Sequence, residues 1–245
     1  MMSDSLVRVD LHSHTSRSHD AWMAPSTLVQ RAWEAGIDRI AVTDHGSLEG
    51  ALEAHALDPE RVIVAEEIGC AESIDLIGLF LHETIPDGLP ARVVADRIRE
   101  QGGVVHGPHP YAYLVAARRK AALVLAVADV VEVVNSRAFL PRWNRLARQA
   151  ARSHGLPGVA NSDAHFGWEI GRCYSEMPAF DGPEEFLDAV RQARLVARRM
   201  ASPFIHVASL VLSYTRLPWR VSAVPPVPDA PGAGRSATAD RVRVD

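Results

Sequence analysis

The sequence predicts an α/β fold with a mostly parallel sheet, and three observations predict it. Short apolar runs alternate with segments of helical period about seven times along the chain. Proline opens and glycine closes several of the helical segments. Residues able to hold a metal recur immediately after the predicted strands. In barrels and open parallel sheets alike, the C-terminal ends of the strands form the working face. The recurrence therefore points to one shared site.

Leu6 to Leu11 alternates apolar and polar residues as a half-buried strand does, and it delivers His12 and His14. Side chains two apart on an extended chain point the same way, so the two imidazoles project together. Pro25 opens a helix whose apolar residues Leu28, Val29, Ala32 and Trp33 fall at helical spacing, and Gly36 ends it. Arg39 to Thr43 is a strand that leads to Asp44-His45, and a short helix spans Leu48 to Ala56. Arg61 to Ala65 is a strand that leads to Glu66-Glu67, and the apolar run Ile74 to Leu81 is a buried strand that ends at His82. Pro90 begins a helix closed by Gly102-Gly103, after which Val104-Val105 runs into His106-Gly107-Pro108-His109-Pro110, where two prolines hold His109 on a loop. The next pairs are a helix over Ala112 to Ala126 with the strand Asp129 to Val134, which ends at Asn135-Ser136-Arg137, and a helix over Pro141 to His154 with the strand Gly158 to Ala160, which runs into Asn161-Ser162-Asp163-Ala164-His165. Pro183 to Arg194, with Glu184 and Glu185 in its first turn, is the last clear helix.

The 245 residues suit one large domain or two small ones, and the net charge of −4 gives no general basic field for capturing nucleic acid. Cys70 and Cys173 are too few for a disulfide framework or a thiolate zinc site, so a reducing cytoplasm is the expected compartment. No signal segment opens the chain and no apolar run reaches the roughly 18 residues of a membrane span. Residues 203–221 are expected to form a final helix packed on the preceding domain, and residues 222–245, rich in Pro, Ala, Gly and Ser, a disordered tail.

Imidazoles mixed with carboxylates suit zinc, manganese or iron(II) better than calcium or magnesium. The strand ends offer more ligands than one ion needs, enough for two to three divalent ions that share a carboxylate. Such a group brings a bridging water towards a neutral pKa, holds a phosphate and offsets charge on the attacking and leaving oxygens. Phosphoester hydrolysis is the natural reaction.

Leu11-His12-Ser13-His14-Thr15, Thr43-Asp44-His45, Glu67-Ile68, Pro108-His109-Pro110 and Ser162-Asp163-Ala164-His165, in that order, resemble the successive motifs of the PHP (polymerase and histidinol phosphatase) family. The resemblance runs from about Val7 to Met200 and implies a distorted (β/α)7 barrel with a trinuclear metal centre at the strands' C-terminal ends. It also implies phosphoesterase activity through a metal-bridging hydroxide. By position, His12, His14 and Asp163 resemble ligands of a first ion, Glu67 the carboxylate bridging to a second, His109 a ligand of the second, and His45 and His165 ligands of a third. The loop after His14 offers His19 and Asp20 for the third ion, and Asp20 is preferred. His82 is assigned to the second ion, with Asp75 the alternative. Asp163 or His165 would protonate the leaving group. Arg137 and Arg17 are candidate phosphate clamps, Glu169 and His106 candidate supports, and Glu66 a solvated neighbour. The expected partner is a small phosphorylated substrate or a short nucleic acid; a domain that only binds is the rival reading.

Overall fold

A computed structural model describes residues 6–112, 116–138 and 140–200. The expected helix at 203–221 and tail at 222–245 lie outside the described residues. The strands are β1 (Leu6–Asp10), β2 (Arg39–Val42), β3 (Val62–Gly69), β4 (Asp75–Leu79), β5 (Val104–Gly107), β6 (Val130–Asn135), β7 (Gly158–Asn161), β8 (Cys173–Pro178) and β9 (Arg194–Ala197). The helices are α1 (Pro25–Ala35), α2 (Glu49–Leu57), α3 (Ala91–Glu100), α4 (Ala117–Val127), α5 (Pro141–His154) and α6 (Gly182–Ala189). α1 follows the sequence signals closely: Pro25 stands at its start, Leu28 and Ala32 are buried, and Gly36 ends it at φ 67°, a conformation that favours glycine.

The strands form one sheet in the order β7-β6-β5-β4-β3-β2-β1-β8-β9. β1, β2 and β3 are parallel, as are β5, β6 and β7, while β4 is antiparallel to both its neighbours. This reversal departs from the expected parallel strand. Its cause is the short connection from Gly69 to Asp75, since a parallel crossover needs a dozen or more residues.

β1 and β7 nearly close the sheet into a barrel, but only at their C-terminal ends. There Ser13 bridges Ala164 in parallel, the His14 amide donates to the Ala164 carbonyl at 2.8 Å, and the Leu11 amide donates to Asn161 Oδ1 at 3.0 Å. Lower down, β8 takes the free edge of β1 from Leu6 to Val9. The barrel is therefore distorted. The sequence does not predict β8 and β9, because the six residues of β8 lack a clean alternation.

Period-two alternation sorts the barrel's interior into layers. Ile63 and Ala65 of β3, Ile77 and Leu79 of β4, Val104 of β5, Val130 of β6 and Val159 of β7 share one buried apolar cluster with Phe180 and Phe186. One further step along the same faces brings Glu67, Asp75, His106, Glu132 and Asn161 to the mouth. Among the described residues no helix is long and apolar enough to cross a membrane.

Candidate metal centre

The mouth gathers imidazoles and carboxylates into overlapping groups. His12, Glu67 and His109 form one; His12, His14 and Asp163 a second; His14, His45 and Glu67 a third; and His14, Asp20 and His165 a fourth, with the potential ligand atoms of each group within 4.8 Å of one another. Glu67 Oε2 lies 3.1 Å from His12 Nε2 and 3.3 Å from His14 Nε2, and Glu67 Oε1 lies 3.4 Å from His109 Nε2. Asp20 Oδ2 lies 2.9 Å from His165 Nε2 and 3.5 Å from His45 Nε2. His19 instead stacks on His45, with ring centroids 5.0 Å apart. Asp20 thus faces the cluster, and His19 sits against one of its rings.

Glu132, which no motif in the sequence marks, organises the floor of this site. Fully buried, it lies 3.2 Å from His12 Nδ1, accepts the His109 amide at 2.7 Å, and accepts from the side-chain amides of Asn135 and Asn161, each at 2.9 Å. A carboxylate on Nδ1 fixes the neutral imidazole with its Nε2 lone pair turned to the mouth. That lone pair would then face His14 Nε2 at 3.1 Å and the carboxylate oxygens of Glu67 and Asp163, and a shared cation relieves the crowding of acceptors. Two residues of the centre are held in the left-handed region, His109 at φ 25° and Asp163 at φ 52°. The Glu132–amide bond holds the first, and Asn135 Nδ2, donating to Asp163 Oδ2 at 3.0 Å, helps hold the second.

The electrostatics fit a cation. Burial works against charge on every group here, yet the neighbouring imidazoles hold Glu67 and Asp163 well below the usual carboxylate range. Burial likewise opposes protonation of His14, but the hydrogen bonds that Asp163 and Glu67 accept from it outweigh burial and raise that imidazole to about 10. The carboxylates therefore attract positive charge, and oxygen and imidazole donors converge as zinc, manganese or iron would require.

Asp75, at the start of the reversed β4, feels the charges of Glu67, His109, His45 and His12, so it belongs to the mouth. His82 does not join it. The strand runs the other way, and His82 is exposed beyond its far end, its amide donating to Gln101 Oε1 at 3.0 Å. Arg17 pairs with Glu53 at 2.9 Å and Glu49 at 3.7 Å on α2. Arg137 is buried beside the cluster, with Nη1 3.4 Å from Glu169 Oε2, and its charge acts on Asp163 and His165. Glu169 also accepts the His165 amide at 3.0 Å, which locks the loop that carries that imidazole. His106 is buried against the edge of His12, and burial pushes its pKa down to about 4, which keeps it neutral. Glu66, expected to be solvated, is instead fully buried, and accepts the Ile85 amide at 2.9 Å on the outer face of β3.

The fold and this centre define a metal-site barrel of the phosphoesterase type, and the chain belongs to the PHP family. The PHP domain profile matches residues 10–96 and the PHP-associated profile residues 141–195. Uncharacterized protein MJ0417 of Methanocaldococcus jannaschii is 32% identical over 200 residues, covering 76% of this chain and 79% of that protein. Among solved structures, a two-domain protein from Bacteroides vulgatus, described as containing a predicted PHP-like metal-dependent phosphoesterase, superposes with a TM-score of 0.64 at 15% identity, covering 88% of this chain and 72% of that one. Endonuclease Q, in complex with a 27-mer duplex carrying an abasic lesion at its active site, superposes with a TM-score of 0.57 at 17% identity, covering 77% of this chain and 57% of that one. At such identities the likeness of the two structures is one of fold.

Proposed function

We propose that the protein is a metal-dependent phosphoesterase that hydrolyses a small phosphomonoester, a nucleotide or a short oligonucleotide. The observation that carries this reading is the sharing of ligands: Glu67 belongs to two of the mouth's overlapping groups and His14 to three, an arrangement suited to two or three adjacent zinc, manganese or iron ions. We assign His12, His14, Glu67 and Asp163 to a first ion, Glu67 and His109 with Asp75 to a second, and Asp20, His45 and His165 to a third.

When bound, such ions supply an activated water and offset the charge that builds on the phosphate. The protein's own groups do the rest. Glu132 holds His12 in one tautomer, Glu169 holds the His165 loop, and Arg137 offers a guanidinium that can take two phosphate oxygens in parallel. Asp163 is held ionised and His165 neutral, so neither expected donor carries a proton to give, and the leaving oxygen takes its proton from water at the mouth as the phosphorus–oxygen bond breaks. Phe166 and Trp168, just beyond His165, stack with ring centroids 4.6 Å apart and planes 6° from parallel, and Trp168 is exposed. Such a ring at the mouth suits a nucleobase, which favours a nucleotide among the possible esters. The DNA-bound endonuclease Q, which shares the fold, supports the same preference.

The test is metal content by mass spectrometry on protein purified without chelator or histidine tag, together with phosphate release from an aryl phosphate and from nucleotides. Two to three ions per chain with turnover supports the proposal. Less than one ion per chain, and no turnover after addition of manganese, zinc or iron, overturns it in favour of a binding domain.

A further inference from the structure

We propose that the outer wall formed by α4 and α5 is a docking surface for a single-stranded nucleic acid whose end enters the mouth. The inference rests on the phosphoesterase reading and specifies the form of its substrate. These two helices follow β5 and β6, so both begin at the mouth, beside the loops that carry His109 and Arg137. α4 opens with Ala117-Arg118-Arg119, and α5 opens with Pro141-Arg142, with Arg145 a turn further on; neither helix contains an acidic residue.

This arrangement opposes what helix stability favours, because the N-terminal end of a helix carries partial positive charge and repels cations. α6 shows the favourable arrangement, with Glu184 and Glu185 in its first turn. Arg118, Arg119, Arg142 and Arg145 are exposed, and among the described residues none has an acidic partner within 4.0 Å. Some exposed arginines elsewhere are paired, Arg31 with Glu34 at 2.8 Å and Arg99 with Asp129 at 2.6 Å, and others, such as Arg97 and Arg191, are not; what sets this row apart is its position at the mouth on two helices without a single acidic residue. Arg148 and Arg152 continue the exposed row down α5, so its cations extend over roughly 15 Å at the helical rise per residue.

A small ester needs one or two cations at the reacting phosphate, whereas a row leading away from the mouth matches the repeated charge of a strand. The modest net charge of −4 conceals this row, since acidic residues concentrate on other elements, including α2 and α6. An unpaired end is favoured over a duplex end because a free base can lie on the exposed Trp168 ring.

The experiment is fluorescence anisotropy of a labelled, phosphorothioate-linked oligothymidylate with the metal-loaded full chain, measured across salt concentrations. Arg142→Glu/Arg145→Glu and Arg118→Glu/Arg119→Glu are each expected to weaken binding at least tenfold. Each should also flatten the salt dependence by roughly 0.7 in log–log slope per lost phosphate contact. Hydrolysis of a small aryl phosphate should stay within twofold of wild type, and the corresponding alanine pairs guard against misfolding of the reversals. The inference is overturned if wild type binds the oligonucleotide no more tightly than thymidine monophosphate, or if the reversals bind it as wild type does. It is also overturned if the reversals lose binding to phosphatidylserine vesicles alone. Strand binding without turnover of any ester would sink the phosphoesterase reading by itself, and turnover without strand binding would sink the docking surface by itself.

Discussion

The two ends of the barrel are built on the same strands and do opposite things. At the base, Ile63, Ala65, Ile77, Leu79, Val104, Val130 and Val159 meet Phe180 and Phe186 in an apolar plug. One step along the same inward faces stand Glu67, Asp75, His106, Glu132 and Asn161, together with two backbone positions in the left-handed region. Burying that many charges and strained dihedrals opposes folding. The base offsets this cost and holds the mouth in place, so disruption of one end should leave the other end's property measurable.

The largest effects should come from the mouth. Glu67→Gln or His12→Ala is expected to lower turnover by at least about a hundredfold and to reduce the bound metal, because each removes a ligand from more than one of the overlapping groups. Mass spectrometry for metal beside initial rates checks both. Glu132→Gln should act more gently. Loss of the carboxylate on His12 Nδ1 frees the tautomer, and metal affinity should fall by about 10- to 100-fold in a chelator competition. An unchanged affinity would mean that the ring is fixed by packing alone.

At the base, Phe186→Ala is expected to cost about 3–5 kcal/mol in denaturant unfolding, because Phe186 is fully buried and packs on Phe180 with ring centroids 5.2 Å apart. Metal stoichiometry at low temperature should not change. If the ions are lost as well, the two ends are one cooperative unit rather than two separable ones.

How far the sequence foretold these ends follows from their chemistry. His12, His14, His45, Glu67, His109, Asp163 and His165 are titratable residues just after apolar runs, and seven of the nine strands could be read from those runs. Glu132 was hidden because it lies inside the run Val130 to Asn135, where a charged residue reads as an outward-facing position. The available signal was register: it sits two residues beyond Val130, which faces inward, as Glu67 does beyond Ala65. Glu66 was misread for the complementary reason. Its side faces away from the mouth, where a solvated residue is expected, but the Ile85 loop covers it. Burial raises this carboxyl from its ordinary 4.5 to about 8. The folded state therefore binds the proton more tightly than the unfolded state, and stability falls as pH rises from about 4.5 to about 8. Glu66→Gln should melt with wild type near pH 5 and higher than wild type above pH 8, by an amount on the order of 1 kcal/mol or more. Equal melting at both pH values would mean that the loop opens to hydrate the carboxylate.

The smallest expected effect is the most pointed test of the strand directions. In an all-parallel barrel His82 would stand at the mouth and Asp75 at the base; the reversal of β4 exchanges them. His82 is exposed, and its backbone amide is tied to Gln101. His82→Ala should therefore change neither metal content nor turnover and should shift stability by less than about 0.5 kcal/mol. Asp75→Asn, by contrast, removes a charge that acts on Glu67, His109, His45 and His12, and should weaken the second ion first. Partial metal occupancy in Asp75→Asn beside full occupancy in His82→Ala would fix β4's direction by chemistry alone. The reverse pattern would require the β3–β4 pairing to be parallel, which its short connection forbids.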